Sequence, residues 1–152
     1  MQIVLVQPEI PQNTGNIART CALTGTTLNL VKPLGFSVND RYLKRAGLDY
    51  WNQVEVRIWE SFAEFCQAHR DHRFYLATTH APRGYHQVRY HLEDVLVFGC
   101  ETRGLPPHIL EAFPEGRIRI PMRDTGRSLN LSNAAAIILY EALRQNGFGG
   151  LR

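Results

Sequence analysis

Hydrophobic positions along the chain fall into short, largely β-branched runs at residues 3–6, 28–31, 54–59, 74–77, 95–98 and 118–120, each the length of a buried strand. Between most of them lie stretches with helical spacing at residues 16–23, 40–46, 62–69 and 107–112, and a longer one at 131–145 closes the chain. Strands that alternate with helices predict an α/β fold, a mostly parallel sheet with helices covering it on both faces. No internal repeat, low-complexity tract or long linker interrupts the pattern, so residues 1–152 read as a single domain.

Gly, Pro and Asn concentrate in four segments that follow strands, at residues 7–15, 78–85, 99–107 and 121–130. In an open parallel sheet, ligands gather beyond the carboxyl ends of the strands, which makes these four segments the expected walls of a site. The last helix is apolar on every side from Ala134 to Leu139. Such a helix either runs through the monomer core or meets the sheet with one side and a second subunit with the other.

Composition adds limits. The apolar fraction of 44% and charged fraction of 20% are those of a folded globular chain. A net charge of +3 is mild, but fifteen Arg against two Lys favours groups suited to bidentate phosphate contacts. Cys21, Cys66 and Cys100 are odd in number and unpaired in spacing, indicating neither a disulfide framework nor a thiolate metal site. No apolar run approaches membrane-spanning length and the first strand has no basic lead-in, so a cytoplasmic protein without a membrane partner is expected.

Several common sites are missing from the pattern. There is no Gly-x-Gly-x-x-Gly after the first strand, no Gly-Lys-Ser/Thr phosphate loop and no Gly-x-Ser-x-Gly elbow. His69 and His72 form a bare i, i+3 pair, read as surface residues rather than a zinc motif. No metal is expected.

Three segments carry candidate chemistry. In the first, Asn13-Thr14-Gly15-Asn16 reads as a loop capping a helix with Arg19 one turn inside, a place where backbone amides and a guanidinium converge on an anion. A helix cap with a solvated Arg has the same local pattern. The second, Gly99-Cys100-Glu101-Thr102-Arg103-Gly104, follows an apolar strand; its glycines allow close backbone approach to a ligand, while Glu101 and Arg103 suit a structural ion pair equally well. In the third, Ser128, Asn130, Ser132 and Asn133 crowd the start of the last helix, more small polar groups than one cap requires.

Together and in this order, the segments resemble the signature motifs of SPOUT RNA methyltransferases: Asn13-x-Gly15-Asn16-x-x-Arg19, Phe98-Gly99-x-Glu101-Thr102-Arg103-Gly104, and Ile118-Arg119-Ile120-Pro121-Met122 with Ser128-x-Asn130-Leu131-Ser132-Asn133. Arg45-Ala46-Gly47-Leu48-Asp49-Tyr50 and Tyr140-Glu141-Ala142 are similar to the small tRNA-modifying members in particular. Departures are confined to the Arg123-Asp124-Thr125-Gly126-Arg127 loop and to Leu129, where Met is common.

The resemblance implies a C-terminal deep trefoil knot, one of the rare exceptions to unknotted topology. It implies an S-adenosyl-L-methionine pocket at Ala77, Thr78, Gly99, Gly104, Ile120, Met122, Ser128 and Leu129, with S-adenosyl-L-homocysteine as product and no metal. It further implies methylation of the ribose 2′-hydroxyl at the wobble nucleotide, cytidine or modified uridine, of leucine tRNAs. Arg19, Asn13, Ser128, Asn130 and Glu101 are the candidate catalytic set, and a homodimer through the C-terminal helix would let Arg19 serve the partner's site. Arg41, Lys44, Arg45, Arg83 and Arg89 are candidate phosphate contacts, and Tyr85, Tyr90 and Tyr140 candidate stacking residues. Three other functions stay open at this point: methylation of another RNA, RNA binding without catalysis, and a Rossmann-like enzyme acting on a small metabolite.

Overall fold

A computed structural model describes residues 1–39, 41, 43, 50–124 and 126–152. Seven strands form a sheet in the order β3-β2-β1-β6-β4-β7-β5: β1 (Gln2–Val6), β2 (Thr27–Val31), β3 (Val56–Trp59), β4 (Phe74–Ala77), β5 (Arg83–Gly84), β6 (Val95–Phe98) and β7 (Arg117–Arg119). Every pairing is parallel, with Ile3 opposite Leu28 on one side and Leu96 on the other. Parallel strands buried on both faces need apolar residues at consecutive positions, which β6 supplies with four fully covered side chains.

Alternation along the strands divides the core into two. Ile3, Leu5, Leu28, Leu30, Leu96 and Phe98 face α1 (Pro11–Thr24) and α4 (Leu131–Gln145), meeting Ile17, Ala18 and Cys21 of the first and Ala135, Ile138, Leu139 and Ala142 of the second. Val4, Val6, Val31, Val95 and Val97 face the other way, against Phe65 of α2 (Phe62–Ala68) and Ile109 of α3 (Pro107–Ala112). Helices therefore cover both faces, as expected. Burial pushes the Cys21 thiol up to about 12, as befits a core residue. One polar group crosses the core: buried Asn29 donates to Gln2 Oε1 and Ile3 O and accepts from Trp59 Nε1.

Differences from the sequence expectations have local causes. The first helix begins at Pro11 rather than Asn16, because a proline at the first helical position loses no hydrogen bond and has φ preset, while the poor helix formers Asn13 to Asn16 are held by tertiary contacts. Strand β3 begins at Val56 rather than Val54, with a 3-10 turn at Trp51–Gln53 before it, and β7 ends at Arg119. Strand β5 has only two residues, too few for any periodicity to reveal. The expected helix at 40–46 falls largely outside the described residues.

His69 is buried rather than exposed. Its ring lies 4.2 Å from that of Phe65, nearly parallel to it, and its Nδ1 is 2.9 Å from the Phe65 carbonyl oxygen. Tyr90 is also a core residue, its hydroxyl donating to Tyr85 O at 2.7 Å, so it is not free to stack on a base. Among the described residues no helix is long and apolar enough to cross a membrane.

Candidate active site

The strand order reverses direction at β1 and β6: successive strands lead outward from β1 to β3, and the chain then crosses to the other half of the sheet. At such a switch point the loops beyond the carboxyl ends diverge and leave a crevice. A cavity of about 660 Å³ lies there, lined from all four segments singled out in the sequence. Ile10 and Asn13 come from the segment after β1, and Ala77 through His80 from the end of β4 and beyond. Gly99 through Leu105 follow β6, and Ile120, Met122 and residues 128–131 follow β7. Ala134 and Ile138 of α4 close one side.

All eight expected cofactor contacts, Ala77, Thr78, Gly99, Gly104, Ile120, Met122, Ser128 and Leu129, line this cavity. So do four of the five candidate catalytic residues, Asn13, Glu101, Ser128 and Asn130. Its walls are largely apolar, and Met122 and Leu129 are 41% and 37% exposed. Thr79, His80, Arg103, Leu105 and Leu110 also line it, none of them assigned from the sequence.

Hydrogen bonds join the three motifs across long stretches of chain. Glu101 accepts from Glu9 N at 2.8 Å, Ile10 N at 3.0 Å and Asn13 Nδ2 at 3.2 Å. Asn13 Oδ1 accepts from Asn130 Nδ2 at 2.9 Å, and Asn130 Oδ1 accepts from Ser132 N, Ser132 Oγ and Asn133 N to cap α4. The amides ahead of α1, expected to meet a ligand anion, are thus occupied by a carboxylate of the protein itself. No Glu101–Arg103 ion pair forms among the described residues.

The missing side chain at Gly99 makes room for its own loop. A Cβ there would lie 2.0 Å from Gly104 C and 2.1 Å from Leu105 N, so the loop crosses directly over the residue. Gly104 closes the turn with φ +69 and donates its N–H to Cys100 O at 3.0 Å.

Arg19 stands apart. It is exposed on α1, does not line the cavity of its own chain, and its guanidinium lies 4.9 Å from the Tyr50 ring centroid. Helix geometry places it about 9 Å along the axis from Asn13 and about 120° around it, off the buried face that Asn13 and Ile17 share.

The remaining candidates are dispersed. Arg83 donates to Glu115 O on the β5 edge, Arg89 and Arg41 are exposed, and Tyr140 is exposed on α4 near Phe148. Tyr85 is half-buried with its ring edge-on to His86. Lys44 and Arg45 lie outside the described residues.

Comparison with known proteins agrees with this geometry. The SpoU rRNA Methylase family matches residues 1–140. A tRNA (cytidine(34)-2'-O)-methyltransferase of Methylovorus glucosotrophus (strain SIP3-4) is 53% identical over 149 residues, covering 97% of each chain. A solved structure described as giving insight into "the 2-OH methylation of C/U34 on tRNA" superposes with TM-score 0.92 at 45% identity, over 96% of this chain and 95% of that one. The SpoU methyltransferase AviRb of Streptomyces viridochromogenes, solved in complex with the cofactor AdoMet, superposes with TM-score 0.87 at 25% identity, over 98% of this chain and 61% of that one.

Proposed function

The chain belongs to the SpoU rRNA methylase family, and we propose that it transfers a methyl group from S-adenosyl-L-methionine to the ribose 2′-hydroxyl of the wobble nucleotide of tRNA, cytidine or modified uridine. The observation that carries this reading is the convergence of all eight expected cofactor contacts on one cavity at the switch point of a parallel sheet. Those residues fit the group. Met122 and Leu129 offer exposed apolar surface for an adenine to cover, and Thr78, Gly99 and Gly104 line the same cavity.

When bound, S-adenosyl-L-methionine supplies an electrophilic methyl on a sulfonium. Transfer to a ribose hydroxyl would release S-adenosyl-L-homocysteine and the hydroxyl proton, the proton passing to solvent, and would require the ribose oxygen to be held in line with that methyl. Arg19 is placed to bind the phosphate beside the acceptor ribose and to stabilise the developing alkoxide. Ser128, at the cavity mouth, orients the ribose, and Asn130 is itself oriented by Asn13.

Because Arg19 does not line the cavity of its own chain, the reading includes a homodimer in which it reaches the partner's site. Exposed Ile137 and Tyr140 on α4 and Leu23 on α1 supply apolar surface for that contact. A trefoil knot belongs to the same reading, and the insertion of β6 between β1 and β4 is compatible with it. Exposed Arg41, Arg83 and Arg89 are proposed tRNA phosphate contacts, with leucine tRNAs as substrates and the cytoplasm as the site of action.

Incubation with radiolabelled S-adenosyl-L-methionine and unfractionated tRNA, followed by nucleoside mapping, tests the activity. Label in 2′-O-methylated nucleoside at position 34 is expected, with leucine isoacceptors as the labelled species. Label at another position or in another RNA overturns the substrate, and cofactor binding without transfer leaves an RNA-binding module. Mixing Arg19→Ala with Asn130→Ala protomers tests the shared site, since restored activity in the mixture requires residues from two chains.

A further inference from the structure

Two carboxylates are exchanged between the loops after β1 and β6. Glu101 of the second loop accepts from Glu9 N and Ile10 N of the first, and Glu9 of the first accepts from Thr102 N at 3.0 Å and Thr102 Oγ1 at 2.9 Å. The first loop is a fixed anchor. Gly35 N donates to Pro8 O at 2.9 Å, and a Cβ on Gly35 would lie 2.7 Å from Glu9 Cα, so the backbone at Glu9 is packed from behind.

The second loop is packed at its ends but exposed at its tip. Thr102, Arg103 and Gly104 are exposed, and the Cys100 to Gly104 turn forms a wall of the cavity. Its inner end is set by the close crossing over Gly99. Its outer end is held to the anchor by the exchanged carboxylates alone among the hydrogen bonds described.

We propose that Glu9 is a positioning residue: through Thr102 it clamps the Cys100 to Gly104 wall in the position the cofactor requires. Glu9 does not line the cavity, and its effect is transmitted through Thr102, which does, to the Cys100 to Gly104 wall. Four charge-assisted hydrogen bonds, two from each loop, place the wall before binding, so its ordering is not a cost of each binding event. The inference rests on the proposed cofactor assignment of the cavity.

Titration calorimetry with S-adenosyl-L-homocysteine on the whole protein, together with amide hydrogen exchange in its absence, tests both levels. The wild type binds, Glu9→Gln and Thr102→Val each weaken binding about tenfold, and the double variant is no weaker than either single one. Thr102→Ser, which keeps the hydroxyl, retains wild-type affinity. In the free protein the Glu101 to Gly104 amides exchange faster in Glu9→Gln while the β1 and β6 amides are unchanged, which separates loosening of the wall from general unfolding. In steady-state assays the KM for S-adenosyl-L-methionine rises about tenfold as the KM for tRNA moves little. Wild-type binding with equal affinity in Glu9→Gln overturns the clamp and leaves the cavity assignment standing; absence of binding by the wild type overturns both.

Discussion

The two ends of the sheet satisfy their carboxylates in opposite ways. At the amino ends of β4 and β6, Asp94, only 2% exposed, meets Arg73 Nε at 2.9 Å and Nη2 at 2.7 Å and accepts from His91 N at 2.7 Å. Arg73 and the Tyr75 hydroxyl both donate to Arg89 O, closing that end with a cation, an anion and a shared carbonyl. Hydrogen bonding to Asp94 holds the Arg73 guanidinium above its ordinary pKa. At the carboxyl ends, Glu9 and Glu101 face backbone amides and small polar side chains, and neither forms an ion pair among the described residues. An ion pair closes the amino end, whereas carboxylates bound to loop amides join the loops beside the cavity at the other.

If the difference reflects stability at one end and ligand binding at the other, variants should divide accordingly. Arg19→Ala has the largest expected effect, a fall of about 10²- to 10³-fold in methyl transfer with the melting curve unchanged, since the residue is exposed and carries no core contact. Unaltered transfer would remove it from the mechanism.

Gly99→Ala comes next, because the added Cβ meets backbone rather than a movable side chain. Overpacking of about 2–3 kcal/mol and loss of cofactor binding are expected, read by denaturant unfolding and calorimetry on the same sample. Asp94→Ala should cost about 2 kcal/mol, since it removes the buried acceptor of Arg73 Nε, Arg73 Nη2 and His91 N, and leave S-adenosyl-L-homocysteine affinity unaltered. A loss of affinity there would show that the two ends are coupled.

The smallest effect concerns Glu141, whose carboxyl is lowered from 4.5 to about 2, first by the hydrogen bond from Arg144 and then by that from Gln145. Its contribution to stability is complete above the ordinary carboxylate value and is lost as pH falls from 4.5 through about 2. Unfolding measured between pH 5 and pH 2 should therefore be less steep in Glu141→Gln. An identical slope would assign acid sensitivity to other carboxylates.

Much of this was legible in the residues. The runs that became β1, β2, β4 and β6 were visible because burial on both faces demands apolar residues in succession, and α4 because its fifteen residues are too long an apolar-rich stretch for a strand. The outward exposure of Ile137 and Tyr140 resolved how that helix divides its apolar surface within one chain. Strand β5 and the true start of α1 were not legible, since two residues show no period and the first turn of α1 reads as a turn until its tertiary partners are seen.

Sequence by itself determined the alternation of strands and helices, the four loops that line the cavity, and the identity of the motifs within them, because these depend on patterns spanning a few residues. Tertiary structure alone decided which partners those motif residues hold. Asn13 meets Asn130 across 117 positions and Glu9 meets Thr102 across 93. No local periodicity encodes such contacts; the order of parallel strands in the sheet brings them together. The same placement gave Glu101 loop amides and Asn13 as partners in place of Arg103, and set Arg19 outside the cavity of its own chain.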